Sequence, residues 1–296
     1  LLCGMLLAMG VSLFTGSPDN AMPVFSQVTG AGGGKPATEG TSLFAGIVSV
    51  LVLTPFFYAG FDTIPQQAEE AAEGLNWNKF GKIISLALLA AGGFYMVCIY
   101  SFGTILDWHE FVKSPVPALA CLKGINMLLY LAMLVIATLG PMGPMNSFYG
   151  ATSRIMLAMG RKGQLPEKFA EVDPKSGAPK LACVVLGIIT VVGPFLGKNM
   201  LIPLTNVSAL AFIFSCGMVA LACLRMRFTE PDLPRPYEVP GGKFGISLAI
   251  VACGTIIGLL VIPFSPASLN MVEWSIVIGW LAVGLALMAF TNSRKK

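Results

Sequence analysis

Eight stretches without a single Lys, Arg, Asp or Glu run through this 296-residue chain, at 1–18, 40–61, 83–106, 124–153, 181–197, 199–224, 244–272 and 274–293. Each is apolar and close to the roughly 20 residues that cross a bilayer core as a helix. Charged residues make up 11% of the chain and hydrophobic ones 55%, against about a quarter charged in an average soluble domain. So few charges cannot coat a water-soluble globule, and only lipid accepts so much continuous apolar surface. A disordered chain, a secreted disulfide scaffold and a cytosolic enzyme are excluded. The expected fold is an all-α multi-pass membrane protein, because a bilayer leaves backbone groups no partner outside a helix or a closed barrel, and no ten-residue alternating pattern is present.

The placement of charge sets an expected topology. If the spans alternate with Leu1 on the cytoplasmic side, Lys35, Lys113, Lys123 and Lys198 fall outside and the rest of the 19 Lys and Arg fall inside. That is the asymmetry of the positive-inside rule. It predicts a multi-pass protein of the plasma (cytoplasmic) membrane with a cytoplasmic C-terminus. The net charge of +4 does not suggest nucleic acid, since the basic residues are dispersed along loops without interleaved aromatics.

The seven cysteines are odd in number. Cys121 flanks an apolar run and the others lie inside one, which reads as small packing residues and not as disulfides or a zinc set. His109, the only histidine, sits beside Asp107 and Glu110 without a ligand cluster, so no metal site is expected. The chain opens on Leu1-Leu2-Cys3 within an apolar run, with neither a basic leader nor a cleavage site. Further N-terminal spans of the same protein are therefore expected as its partners.

The segment Thr54-Pro55-Phe56-Phe57-Tyr58-Ala59-Gly60-Phe61-Asp62-Thr63-Ile64-Pro65 through Glu69-Glu70 carries the most chemistry. An apolar span runs into Ala59-Gly60 and meets Asp62, Thr63 and Pro65, residues that start helices. One helix is expected to end and another to begin at membrane depth. Carbonyls freed around 56–59 would carry the negative end of a half-helix dipole, and such discontinuous helices are where transporters bind substrate. The same residues also fit a packing glycine, an interfacial N-cap and lipid-facing aromatics, and spacing alone leaves both readings open.

This stretch resembles the sixth helix of the amino acid-polyamine-organocation (APC) permease superfamily, which unwinds at Gly-Phe-Asp and continues into Ala-Glu-Glu. Ser153-Arg154-Ile155 through Gly160-Arg161-Lys162-Gly163-Gln164-Leu165-Pro166 is similar to the end of that family's eighth helix and the loop after it. Arg235-Pro236-Tyr237-Glu238-Val239-Pro240-Gly241-Gly242 is similar to its loop before the eleventh. The three agree in order and spacing. Lys162 departs from the pattern, where the family usually has an acid.

The resemblance implies a partial five-plus-five inverted-repeat transporter fold with a broken helix near residues 56–62. The whole chain, 1–296, is one membrane domain on this reading, with a second repeat over about 44–224 and two additional helices over 244–293. It also implies that Phe56, Phe57 and Ala59 supply backbone contacts to a substrate amine, that Gly60 permits the break, and that the Phe56 ring gates the site. Phe148 corresponds to an aromatic lining the pocket in some relatives.

Asp62 is the one acid expected near the membrane interior, a candidate for proton coupling or simply the N-cap of the second half-helix. In 124–153, Pro141 and Pro144 should kink the helix, while Asn146, Tyr149 and Ser153 form one polar stripe that either lines the path or bonds between helices. Asn206 and Ser208 are weaker candidates of the same kind. Glu69, Glu70 and Glu73 read as acids favouring a helix start.

The expected function is secondary active transport, by symport or exchange, of an amino acid or related small amine. No cofactor is expected, and a coupling H+ or Na+ is left open. A membrane-embedded enzyme would need a His-Glu-x-x-His, an activated nucleophile or a metal cluster, and an ion channel a repeated filter; neither pattern is present.

Overall fold

A computed structural model of the chain describes residues 2–21, 43–66, 76–111, 114, 116–235 and 237–293. In chain order the α-helices are α1 Leu2–Thr15, α2 Leu43–Tyr58, α3 Thr63–Gln66, α4 Trp77–Gly103, α5 Trp108–Phe111 and α6 Pro117–Lys123, followed by α7 Met127–Leu139 and α8 Met142–Arg161. Then come α9 Lys180–Val192, α10 Leu201–Thr229, α11 Gly242–Val261 and α12 Met271–Ser293. No strand occurs among the described residues.

Among the described residues, six helical segments are long and apolar enough to cross a membrane: Phe44–Gln66, Trp77–Gly103, Met127–Arg161, Leu201–Thr229, Gly242–Val261 and Met271–Thr291. The ranges 1–18 and 181–197 are carried by shorter helices. The 14 residues of α1 reach about 21 Å at 1.5 Å per residue, short of the roughly 30 Å hydrocarbon core. α9 continues through a 3-10 turn into an apolar helix Lys180–Leu196. The spans leave large side chains bare, Leu89 being 76% and Trp280 72% exposed, which in water would be untenable and in lipid is ordinary. Six of the cysteines, Cys98, Cys121, Cys183, Cys216, Cys223 and Cys253, are free thiols.

The chain divides into two compact units, Leu1–Leu43 with Ser85–Ser147, and Phe44–Ile84 with Phe148–Lys296. In the first, Ala8, Met9, Phe102, Cys121, Leu122 and Met133 form the core. The end of α1 is tied to the end of α4 by polar bonds: the Asn20 amide donates to the Thr104 and Ile105 carbonyls at 2.8 and 3.1 Å, and Ser17 N donates to Thr104 O at 2.9 Å. α5 and α6 are helical turns in a segment the sequence reads as an outer loop. Of the two prolines expected to kink the helix, Pro141 marks an interruption, the α-helix lapsing at Gly140-Pro141 and resuming at Met142, while Pro144 lies inside α8. Pro141 has no N–H to continue the ladder.

In the second unit, Val52 of α2 packs with Leu260 and Leu269 beside α10, α11 and α12. α12 begins with a reciprocal cap. Glu273 N donates to Asn270 Oδ1 at 2.9 Å, and Asn270 N donates to Glu273 Oε2 at 2.6 Å, satisfying two donors a helix start otherwise leaves orphaned. The other carboxylate oxygen, Oε1, accepts from the Asn206 amide of α10 at 2.5 Å. Glu273 is 2% exposed, so it is a second acid inside an apolar helix, which the charge map treats only as a boundary between stretches. Asn206→Leu removes one of the two hydrogen bonds the carboxylate accepts, and a buried acceptor left without its donor costs about 1–3 kcal/mol. The detergent-solubilised protein should melt several degrees lower, and adding Glu273→Gln should restore part of the loss.

The Arg235-to-Gly242 motif closes the far end of α10. The Arg235 guanidinium donates to the carbonyls of Pro231 and Glu230 at 2.7 and 2.6 Å and to those of Leu233 and Met226 at 3.1 and 3.2 Å. One always-charged fork thus stabilises the negative end of α10. Two residues on, the Tyr237 ring lies against the backbone of α4: a Cβ on Gly81 would meet it at 2.7 Å. Gly81→Ala should therefore lower the melting temperature through overpacking worth about 1–3 kcal/mol. Combining it with Tyr237→Ala should cost less than the sum of the two single changes.

Candidate functional site

The break in the second unit is built by a sequence of local failures of helix bonding. Pro55 lies inside α2 and cannot donate to the Leu51 carbonyl. The Thr54 hydroxyl takes that place, donating to Leu51 O at 2.7 Å, so a carbonyl freed at membrane depth is satisfied. At the end of α2 the ladder tightens, with Ala59 N donating to Phe56 O at 3.2 Å, three residues back. It then stops. Gly60 N donates to Asp62 Oδ1 at 2.9 Å and to no backbone carbonyl of α2.

Gly60 has φ +130°, a conformation L side chains rarely adopt, and glycine adopts it at no steric cost. Its carbonyl accepts from both Thr63 N at 3.2 Å and the Thr63 hydroxyl at 2.7 Å. Asp62 completes the turn: its second oxygen accepts from the Gln66 amide at 3.0 Å, and its carbonyl accepts from Gln66 N at 3.3 Å. The Asp62 side chain thus bonds backward to Gly60 and sideways to Gln66. It occupies the N-cap position of α3, but its carboxylate accepts from none of that helix's backbone N–H groups.

The expectation of freed carbonyls over 56–59 is met in part. Phe56 O is taken by Ala59 N, and Phe57 and Tyr58 make interactions of their own. Among the described residues, no donor reaches the Ala59 carbonyl. It sits at the C-terminal end of a 16-residue helix, where aligned peptide dipoles sum to about half a negative charge. A carbonyl there suits a cation or a hydrogen-bond donor.

Aromatic rings frame the break. Phe61 packs edge-on against Phe212 of α10, centroids 6.1 Å apart, which anchors the turn. The Phe148 ring reaches Gly60 closely enough that a Cβ there would lie 4.0 Å from its Cζ. Phe56 and Phe57 are 40% and 52% exposed and stand edge-to-face, 6.3 Å between centroids.

The polar stripe of α8 is used for packing where its bonds are visible. The Tyr149 hydroxyl donates to the Cys183 carbonyl of α9, and the Ser153 hydroxyl to Gly150 O at 2.7 Å. Asn146 lies in the first unit with its side chain exposed, and Ser208 is exposed on α10. Glu69, Glu70 and Glu73 lie outside the described residues, as do the side chains of Cys3 and His109. No cluster of three metal-ligating side chains occurs among the described residues. Gln66, and the bond of Thr63, 6% exposed, back to Gly60, are the parts of the site that residue-by-residue reading misses. A hydroxyl three residues and an amide four residues from their partners were the available signal.

Long apolar helices and a helix interrupted at membrane depth define a class, the multi-pass helical membrane proteins whose discontinuous helices expose backbone dipoles. The amino acid permease family matches over residues 1–288, and the chain belongs to that family. It is 27% identical over 257 residues to the branched-chain amino acid permease BcaP of Bacillus subtilis, covering 85% of this chain and 51% of that protein. It is 25% identical over 185 residues to the human cystine/glutamate transporter, covering 62% and 36%. To the aspartate-proton symporter of Bacillus subtilis it is 30% identical over 131 residues, covering 43% and 24%. The chain spans about half the length of the BcaP permease and less of the other two.

Proposed function

We propose that the protein moves an amino acid or related small amine across the membrane by secondary active transport, symport or exchange, with alternating access. The observation that carries this reading is the Ala59 carbonyl, without a donor among the described residues, at the negative end of α2. A substrate ammonium bonds there. Phe56 and Phe57 contribute backbone contacts beside it, Gly60 sets the turn, and the Phe56 and Phe148 rings close over the substrate's apolar part. Tyr149 stands beside Phe148 on α8, the helix that borders the path. The family match and the printed substrates of the relatives support the substrate class.

Asp62 is the residue through which a proton would couple to transport. Both of its oxygens accept hydrogen bonds, so protonating either one displaces a donor or turns the Gln66 amide over. A protonation step would thereby reach Gly60 directly. On this reading residues 44–224 form the second inverted repeat and 244–293 two accessory helices, further N-terminal helices supply the carboxylate-binding half, and the protein resides in the plasma membrane with its C-terminus in the cytoplasm. The coupling ion is H+ or Na+.

The test is uptake of radiolabelled amino acids into proteoliposomes holding the intact protein under imposed proton or sodium gradients. Transport should be saturable, driven by one gradient or by internal substrate, and inhibited by the unlabelled amino acid but not by its deaminated carboxylic acid. Equal inhibition by the deaminated compound would remove the amine from the recognition scheme. Asp62→Asn should flatten the pH dependence of uptake, and an unchanged profile would rule out its proton role.

A further inference from the structure

Two candidate spans, Met127–Arg161 and Met271–Thr291, end at one cavity. Their last residues, Arg161 and Thr291, both line it, and its volume is about 660 Å³. The 21 residues of Met271–Thr291 reach about 31 Å at 1.5 Å per residue, the thickness of the hydrocarbon core, so the Thr291 end of this span puts the cavity near headgroup depth.

Its floor is a fixed turn. Lys162 N donates to Ala158 O at 3.0 Å, Gly163 N to Gly160 O at 3.0 Å, and Gln164 N to Met159 O at 2.8 Å. Leu165 is 6% exposed, and the Phe169–Ala170 backbone approaches Gly160 so closely that a Cβ would meet it at 2.8 Å. The charged groups on this turn are therefore held in a set relation to α8.

Those groups are of both signs. Arg161, Lys162 and Lys168 line the cavity together with Glu167 and Glu171. A simple anion would meet two carboxylates, and a simple cation three basic groups. A ligand with a phosphate beside a primary ammonium matches both sets, and the half-exposed Phe290 ring offers apolar surface for the start of an acyl chain. We propose that this cavity binds the headgroup of a phosphatidylethanolamine-type phospholipid. The basic side chains take the phosphate and the two carboxylates take the ammonium through charge-assisted hydrogen bonds. A quaternary ammonium cannot donate such bonds, so phosphatidylcholine is a poor substitute.

The intact protein, purified in a mild detergent, is titrated in turn with phosphatidylethanolamine, phosphatidylcholine and phosphatidylglycerol of matched acyl chains, and retained lipid is counted by native mass spectrometry. Phosphatidylethanolamine should be retained about tenfold better than either of the others. Combining Lys168→Ala with Glu171→Gln, both exposed positions, should abolish that preference while leaving the lipid-free melting temperature unchanged. Equal retention of the three lipids, a preference for phosphatidylglycerol, or an undiminished preference in the double variant would each overturn the assignment. Displacement of the lipid by equimolar water-soluble phosphoethanolamine would overturn the lipid as the ligand.

Discussion

Gly60→Ala leaves the protein in the membrane and lowers its substrate uptake by about 5- to 150-fold. The range follows from the backbone. Gly60 sits at φ +130°, and an L side chain held in so sparsely populated a region costs about 1–3 kcal/mol, with tenfold in an equilibrium for each 1.4 kcal/mol. Space is not the obstacle, since the nearest atom to a new Cβ is Phe148 Cζ at 4.0 Å. The strain is relieved by rotating the peptide back toward a helix, which returns a donor to the carbonyls of α2 and removes the acceptor proposed for the amine. Gly60→Ala should therefore weaken binding of the amino acid itself. Equilibrium binding of the radiolabelled substrate to the purified intact protein, compared with wild type at equal expression, checks this. Wild-type affinity in the variant would mean that φ at this position is not what opens the site.

Asp62→Ala is expected to be more damaging than Asp62→Asn. Alanine removes both acceptors at once, leaving the Gly60 N–H and the Gln66 amide without the partners they have at 2.9 and 3.0 Å. A hydrogen bond to a charged group contributes about 1.5–3 kcal/mol, so the loss of two matches or exceeds the strain at Gly60. Asparagine keeps an oxygen for Gly60 N and replaces the second acceptor by an NH2 group, which the Gln66 side chain meets by turning its own oxygen toward it. The prediction is an ordering: uptake at its optimal pH reduced by about tenfold or more in Asp62→Ala and retained in large part in Asp62→Asn. The reverse ordering would make the charge, and not the turn, the main contribution of this residue.

The spans could be read from the chain because their cause is local. A charge-free apolar run has one stable form in lipid, and its bounds are where the charges resume. The break was legible for the same reason, through Ala59-Gly60 followed by Asp62, Thr63 and Pro65. What escaped the sequence depends on distant partners. Nothing near Asn206 announces that its amide meets Glu273, or that Glu273 belongs to a helix and not to the loop before it. Phe148 reaches Gly60 across 88 positions, a proximity that only the resemblance suggested. The details of the turn were also beyond local rules. An Asp ahead of Thr-Ile-Pro reads as a forward cap, but Pro65 has no N–H to offer, and the carboxylate turns back to Gly60 instead. The Tyr149 stripe was ambiguous because a hydroxyl serves a pore and a helix contact equally well.

The central claim is that the end of α2 receives the ammonium of the substrate. An experimental density map of the intact protein with a transported amino acid bound tests it most directly. The account predicts the substrate nitrogen within about 3 Å of the Ala59 carbonyl oxygen, with the backbone open between Ala59 and Asp62. A continuous helix through that stretch, or an ammonium held by other groups, would contradict it.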